Sequence, residues 1–213
     1  MRHMRLYLAL LLLASACASS PPSGEPTYSS VRDRLERSPT RLLIGAAGST
    51  GSITARRYTH DGWVDGLTPL ATSNGELTAH LDQAGLLELS AFDVGVDPIE
   101  IPDSVFGKPA QLRDVRVTLT SRPAAAPQWT DSDDATATIM IDLDLSWSIM
   151  VNGGTAPLGA QHLPPIAADL TLTGAGDHID AKVSLHAMGE LWSWAGLMKL
   201  SELQMSLAAA TVD

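Results

Sequence analysis

ATATIMIDLDLSWSIMV, residues 135–151, carries an apolar side chain at every odd position: Ala135, Ala137, Ile139, Ile141, Leu143, Leu145, Trp147, Ile149 and Val151. Between them fall Thr136, Thr138, Asp142, Asp144, Ser146 and Ser148. Successive strand residues point to opposite faces, so this alternation predicts a strand with one buried face and one wet face. At about 3.3 Å per residue the segment would span about 56 Å if straight, whereas ordinary strands hold about 3–10 residues. It must therefore bend, break at a bulge, or belong to a large curved sheet.

Working outward, the same period recurs in Leu77-Ala79-Leu81, Leu87-Leu89-Ala91, Val115-Val117-Leu119, Ile166-Ala168-Leu170-Leu172, Ile179-Ala181-Val183-Leu185 and Leu203-Met205-Leu207. Asn74-Gly75 reads as a turn, and further connections fall at Arg122 to Asp134, Asn152-Gly153-Gly154 and Gly174 to Asp177. Leu42 to Ser73 shows no clean period, only the glycines and threonines of turns and short strands. The predicted fold is mainly β: an antiparallel β-sandwich or a curved, barrel-like sheet with a short N-terminal helix. An outer-membrane barrel is disfavoured, because the apolar face is rich in alanine, aromatic girdles are missing, and the chain closes on Thr211-Val212-Asp213.

The helix is expected over Ser30 to Arg37. Ser29 or Ser30 can cap it, Val31 and Leu35 share a face, and Pro39 stops it. Before it, Ala18 to Ser30 is rich in Ser and Pro and reads as an extended tether. Earlier still, Arg2 and Arg5 precede the apolar run Leu6 to Leu13, which gives way to Ala14-Ser15-Ala16-Cys17. A charged start, a short apolar core and small residues before a cut are the layout of a secretory signal. The run is too short to span a bilayer, which takes about 20 apolar residues.

Cys17, the only cysteine in the chain, stands immediately after those small residues. Residues 1–17 here resemble the lipobox of bacterial lipoproteins, although Ala14 occupies the position where that family prefers leucine. The resemblance implies a diacylglycerol thioether on Cys17 and membrane attachment through its acyl chains. Ala18 after the cysteine implies sorting to the outer membrane of a Gram-negative bacterium. The expected organisation is a signal peptide at 1–16, a lipidated cysteine and tether at 17–30, and a single domain at 31–213.

The chain has 14 Lys and Arg against 24 Asp and Glu, and two of the arginines lie in the signal, so the mature body is more acidic than the net −10 of the whole. Nucleic-acid binding rests on cations neutralising phosphates, and an acidic body without a basic run excludes it. A lone cysteine permits no internal disulfide, so stability must come from buried apolar surface.

Candidate chemistry is sparse. His60, His80, His162, His178 and His186 form no pair at metal-ligand spacing, and no metal or cofactor is expected. Asp131-Ser132-Asp133-Asp134 gathers oxygen ligands but lacks the glycine and distal glutamate of a complete calcium loop, and reads as a solvated turn. Asp142 and Asp144 lie two residues apart on one strand face, as paired carboxylates of glycoside hydrolysis do and as the wet face of any strand does. Gly48-Ser49-Thr50-Gly51-Ser52 is a small-residue loop that fits neither a nucleophile elbow nor a phosphate loop.

Among the tryptophans, Trp147, Trp192 and Trp194 are the candidate ligand or partner contacts. The last two share a strand face, with Gly189 marking a bulge before them; the competing reading is that they plug the end of the core. The expected function is a membrane-anchored envelope lipoprotein binding an apolar ligand or lipid in a β-sheet groove. The alternative is an accessory lipoprotein that holds an envelope protein partner. An envelope hydrolase ranks third, and an enzyme is not the favoured reading.

Overall fold

A computed structural model describes residues 27–101, 109–175, 177–194 and 198–211; Cys17 lies outside the described residues. They form one helix, α1 (Val31–Arg37), and fourteen strands: β1 (Thr40–Thr59), β2 (Gly62–Leu70), β3 (Thr72–Leu81), β4 (Leu87–Val96), β5 (Ile99–Ile101), β6 (Ala110–Leu119), β7 (Ala124–Ala125), β8 (Gln128–Trp129), β9 (Ala135–Ile141), β10 (Leu143–Val151), β11 (Gly154–His162), β12 (Ile166–Ala175), β13 (His178–Trp194) and β14 (Met198–Thr211). Eleven of them follow one path, β11-β10-β6-β4-β3-β1-β14-β13-β12-β9-β8, with β2, β5 and β7 attached at its side. The whole is a curled, open antiparallel sheet, a half-barrel.

The 17-residue alternating segment does bend. Asp142 divides it into β9, which pairs with β12 in one wing, and β10, which pairs with β6 in the other. Parity survives the break, with Ile139, Ile141, Leu143 and Leu145 all buried. One chain segment thus joins the two wings. Asp142 marks the joint: its carbonyl accepts from the Thr120 N–H at 3.0 Å, and its carboxylate accepts from the Ser121 hydroxyl at 3.1 Å.

A second strap crosses nearby. β7 pairs with β4 through Leu87↔Ala125, and after Ala126-Pro127 the chain pairs with β9 through Trp129↔Ala135.

Bulges explain the curl, since each one adds local twist and bends its strand. In β1 the register jumps between Gly45 and Thr50, where Gly48 has φ +80° and Ser49 Oγ replaces the ladder by donating to Gly45 O at 2.6 Å and accepting from the Ala208 N–H at 3.0 Å. The small-residue stretch from Gly48 to Ser52 is therefore part of a strand. The bulge lets β1 exchange its neighbour, from β3 at Thr40–Ile44 to β2 beyond Gly51.

Asn74-Gly75 likewise lies inside β3 and is no turn: the register shifts between Thr72 and Asn74, and a Cβ on Gly75 would meet Asp93 O at 2.5 Å. Further irregularities fall at Ser90-Ala91, at Asp114 (φ +54°) and between Met188 and Trp192 beside Gly189 (φ +117°). Ala91 is half-buried, and Phe92, Val94 and Val96 carry the buried parity onward.

Helix α1 closes one end. Ser30 Oγ accepts from the Asp33 N–H at 3.2 Å, Val31 and Leu35 are buried, and the helix packs on β3 and β12. It is pinned on both sides. The Arg32 guanidinium lies 4.3 Å from the Trp129 ring centroid, Arg34 donates to Asp177 O, and the Tyr28 N–H donates to Asp177 Oδ1 at 3.1 Å.

At the other end the long strands outrun the body. Beyond Gly51 of β1 and Leu185 of β13, only the order β2-β1-β14-β13 continues, as a four-stranded ribbon. No helix among the described residues is long and apolar enough to cross a membrane.

Candidate functional site

Alternating strands place one apolar set on the concave face, and there it forms a single core. Packing within that core is graded. At the α1 end Leu42, Leu77 and Leu87 are 0% exposed, sealed by Val31, Leu35 and the Ala124–Trp129 strap. Toward the ribbon Ile53, Ile101 and Leu112 retain 8–9%. Leu70, Val96, Ile99 and Ala187 retain 6–8% on the surrounding strands, and Leu203 and Met205 3–4%. Ala137, Ala181 and Ala209 depart from the gradient, and each is a small side chain whose exposed area is slight. Among the described residues the interior is thus a filled core throughout, with slightly more residual accessibility away from α1.

The sequence candidates divide between this core and the ribbon. Trp147 sits on β10, 5% exposed, opposite Gly159 of β11, so it is a core residue. Odd residues from Ala135 to Leu145 are buried and form core. Trp192 and Trp194 lie on the ribbon, opposite Leu200 and Met198 of β14, beyond the Gly189 bulge. Leu67 and Met188, which periodicity did not single out, are 71% and 73% exposed on that ribbon, with Tyr58 between them and its tip. Both lie on the outer face of the sheet, Leu67 opposite Thr54 and Met188 next to buried Ala187.

Three histidines lie exposed beside carboxylates, while His80 is half-buried, 4.0 Å from Glu88. His162 Nδ1 is 3.0 Å from Asp144 Oδ1, His178 Nε2 is 3.2 Å from Asp180 Oδ1, and His186 Nε2 is 3.1 Å from Glu202 Oε1. The first and third pairs are cross-strand neighbours and the second lies two residues apart along β13, all on the wet face. Asp142 and Asp144 are held apart chemically, the first by Ser121 and the second by His162. Among the described residues no group of three His, Cys, Asp or Glu side chains is arranged to hold a metal ion.

The acidic turn is internally satisfied. Ser132 Oγ donates to Asp134 Oδ2 at 2.9 Å, the Gly174 N–H donates to Asp134 Oδ1 at 3.3 Å, and Asp133 lies 3.9 Å from Arg32 Nε. Its role is to hold β9, β12 and α1 together at the closed end.

The sheet edges differ in how far they invite another strand. β11 is exposed along its length, but Pro157 removes a donor, and the register shift opposite Trp147 and Ser148 with Gly159 at φ +76° breaks its flatness. Such features blunt edge-to-edge pairing. Neither a protein-family model nor a curated protein sequence matches the chain.

Proposed function

We propose that the chain is a lipid-anchored envelope protein that holds an apolar ligand, of the chemical class of a lipid acyl chain, at the mouth of its half-barrel. The observation supporting this reading is a gradient in the buried core: 0% exposure at Leu42, Leu77 and Leu87 near α1, and a residual 8–9% at Ile53, Ile101 and Leu112. Ligand sites favour such concave apolar ends with few polar groups. Because the body below is filled, the ligand sits between the ribbon and the wing of β5, β6 and β10. Anchorage rests on Cys17 and its resemblance to lipoprotein signals, and outer-membrane sorting on Ala18.

The test is organic extraction of the purified protein followed by mass spectrometry, paired with titration by a fluorescent polyene fatty acid. Wild-type protein should carry lipid and bind the probe, and Leu112→Trp, which narrows the mouth, should weaken probe binding at least fivefold. Cys17→Ala should release the folded protein from the membrane fraction. Absence of both lipid and probe binding would overturn the ligand reading; membrane retention of Cys17→Ala would overturn the anchor.

One observation favours the alternative, an accessory protein gripping an envelope partner. Among the described pairings, β2 pairs only with β1, and β13 beyond Leu185 only with β14, so the ribbon has two edges with backbone groups facing outward. Crosslinking to one protein, lost on ribbon substitution while probe binding stays absent, would select that reading.

A further inference from the structure

Among the described residues, the strongly exposed apolar side chains include two methionines on the outer face, Met140 at 57% and Met188 at 73%. Strand register brings both to one histidine. Met188 follows His186 by two residues on β13, and buried Leu185 and Ala187 mark the opposite face, so the two share the outer face about 6.6 Å apart along the strand. On the other flank Ala168 pairs with Leu185, which puts Ala167 beside His186 one step further, and Ala167 pairs in turn with Met140. Ala167 is small and exposed. No bulky side chain at that position separates Met140 from His186, whose backbones lie two strand spacings, about 9.6 Å, apart.

The imidazole between the two thioethers is held from one side. His186 Nε2 lies 3.1 Å from Glu202 Oε1, and Glu202 is fixed in turn by Thr54 Oγ1 at 3.3 Å and Gln204 Nε2 at 2.9 Å. A carboxylate only accepts, so the shared proton belongs to Nε2 and the ring's lone pair to Nδ1. Metal-binding imidazoles are oriented by a carboxylate in this way. His162 and His178 have the carboxylate without the methionines, since the residues paired with them are Asp144 and Ala175.

We propose that His186 Nδ1, Met188 Sδ and Met140 Sδ form a site for one soft monovalent cation of the Cu(I) class. Thioether sulfur is a soft ligand that favours Cu(I), and imidazole suits copper as well. The spacings fit. A thioether arm with three rotatable bonds, an imidazole, and metal bonds of about 2.0–2.3 Å to nitrogen and sulfur close gaps of this size. The chain carries 24 acidic against 14 basic residues, a field that draws cations. Arg56 and Lys199 lie beyond Met188, with Glu202 between their row and His186. The site is on the outer face and is independent of the apolar ligand proposed above.

The test uses the full chain, with Cys17 alkylated wherever it is not lipidated so that its thiol takes no copper. Cu(I), kept reduced by ascorbate without oxygen, is titrated against the chromogenic chelator bicinchoninate. Wild type should withdraw one equivalent from the chelator. Met140→Leu, Met188→Leu and His186→Gln should each weaken uptake at least tenfold with an unchanged circular dichroism spectrum, whereas Met150→Leu, on the other wing, should leave it unchanged. Zn(II) in equal amount should not displace the copper, because a thioether is a poor ligand for it. No uptake by wild type, equal uptake by both outer-face leucine variants, or displacement by Zn(II) would overturn the assignment. Fatty-acid probe binding should be unchanged in Met188→Leu, so failure of the copper site and failure of the apolar-ligand reading are read separately.

Discussion

The graded core makes a quantitative demand on two leucines of identical chemistry. Leu77, in β3 between Leu42 and Phe92, is 0% exposed; Leu112, in β6 between Ile99 and Ile149, is 8% exposed. Truncating either to alanine removes three carbons, a transfer loss of about 2.4 kcal/mol at about 0.8 kcal/mol per buried methylene. At Leu77 the walls are strands locked on both sides, so a closed void remains. A residual cavity of about 50 Å³ adds about 1.2 kcal/mol at about 24 cal/mol per Å³. The expected cost is about 3.5 kcal/mol at Leu77.

At Leu112 the vacated volume joins the mouth and is wetted, so the cavity contribution falls away and the transfer loss is incomplete. The expected cost is about 2 kcal/mol or less. Urea unfolding followed by both circular dichroism and tryptophan fluorescence measures the difference, coincident curves establishing two-state behaviour. With a slope of about 2 kcal/mol per molar urea the midpoints should drop by about 1.8 M and about 1 M. Equal drops would refute the distinction between a sealed end and an open one, and the proposed ligand position with it.

Two further outcomes follow from local geometry. Gly75→Ala should destabilise by about 1–3 kcal/mol, seen as a lowered urea midpoint, because its Cβ would meet the backbone at Asp93 O and Val94 Cα at 2.5 and 3.2 Å and neither strand can yield cheaply. Asp33 has its pKa lowered from the usual 3.8, chiefly by the Ser29 N–H, which outweighs the opposing desolvation, with smaller contributions from the Arg37 charge and the side-chain hydrogen bonds of Ser29 and Arg37. A lowered folded pKa confers stability that is complete above the unfolded value and is lost as pH falls through the folded one. The docking of α1 should therefore loosen only below about pH 4, seen as faster amide exchange over Val31–Arg37, and Asp33→Asn should remove that pH dependence.

Alternation showed the fold class and much of the core because it depends on which face a residue occupies, and that is local. It could not reveal neighbours. The odd residues from 135 to 151 point inward throughout, yet serve two different wings, since nothing in a period of two records that Asp142 passes the chain from β12 to β6. Leu42 to Ser73 was opaque for a physical reason: Leu42 and Ile44 are buried on even positions and Ile53 on an odd one, because the bulge at 46–49 reverses parity within one strand. Asn74-Gly75 misled in the same way, as Thr72 and then Leu77 and Ala79 are buried on either side of a bulge. The helix was legible because its cap, its buried pair and its proline stop all act within a few residues. The ribbon's exposed Leu67 and Met188 were not, because both lie on the outer face, where a period of two predicts polar side chains.

The same irregularities assign different work to the two ends of the sheet. Were β1 regular, Ile44 and Ile53 would lie on opposite faces, and a ribbon continuing from it would turn its apolar line outward. The extra residues at 46–49 restore Ile53 to the concave side, where it lies level with Leu203 of β14 and continues the core past the edge of the body. The bulge also releases β1 from β3, so nothing covers the ribbon on that flank except β2. A continued apolar line without a covering wing is what gives that end its residual accessibility, while α1, the 123–129 strap and the Asp142 joint close the opposite end. The asymmetry on which the ligand reading depends is therefore built into backbone register, and it does not require any single side chain.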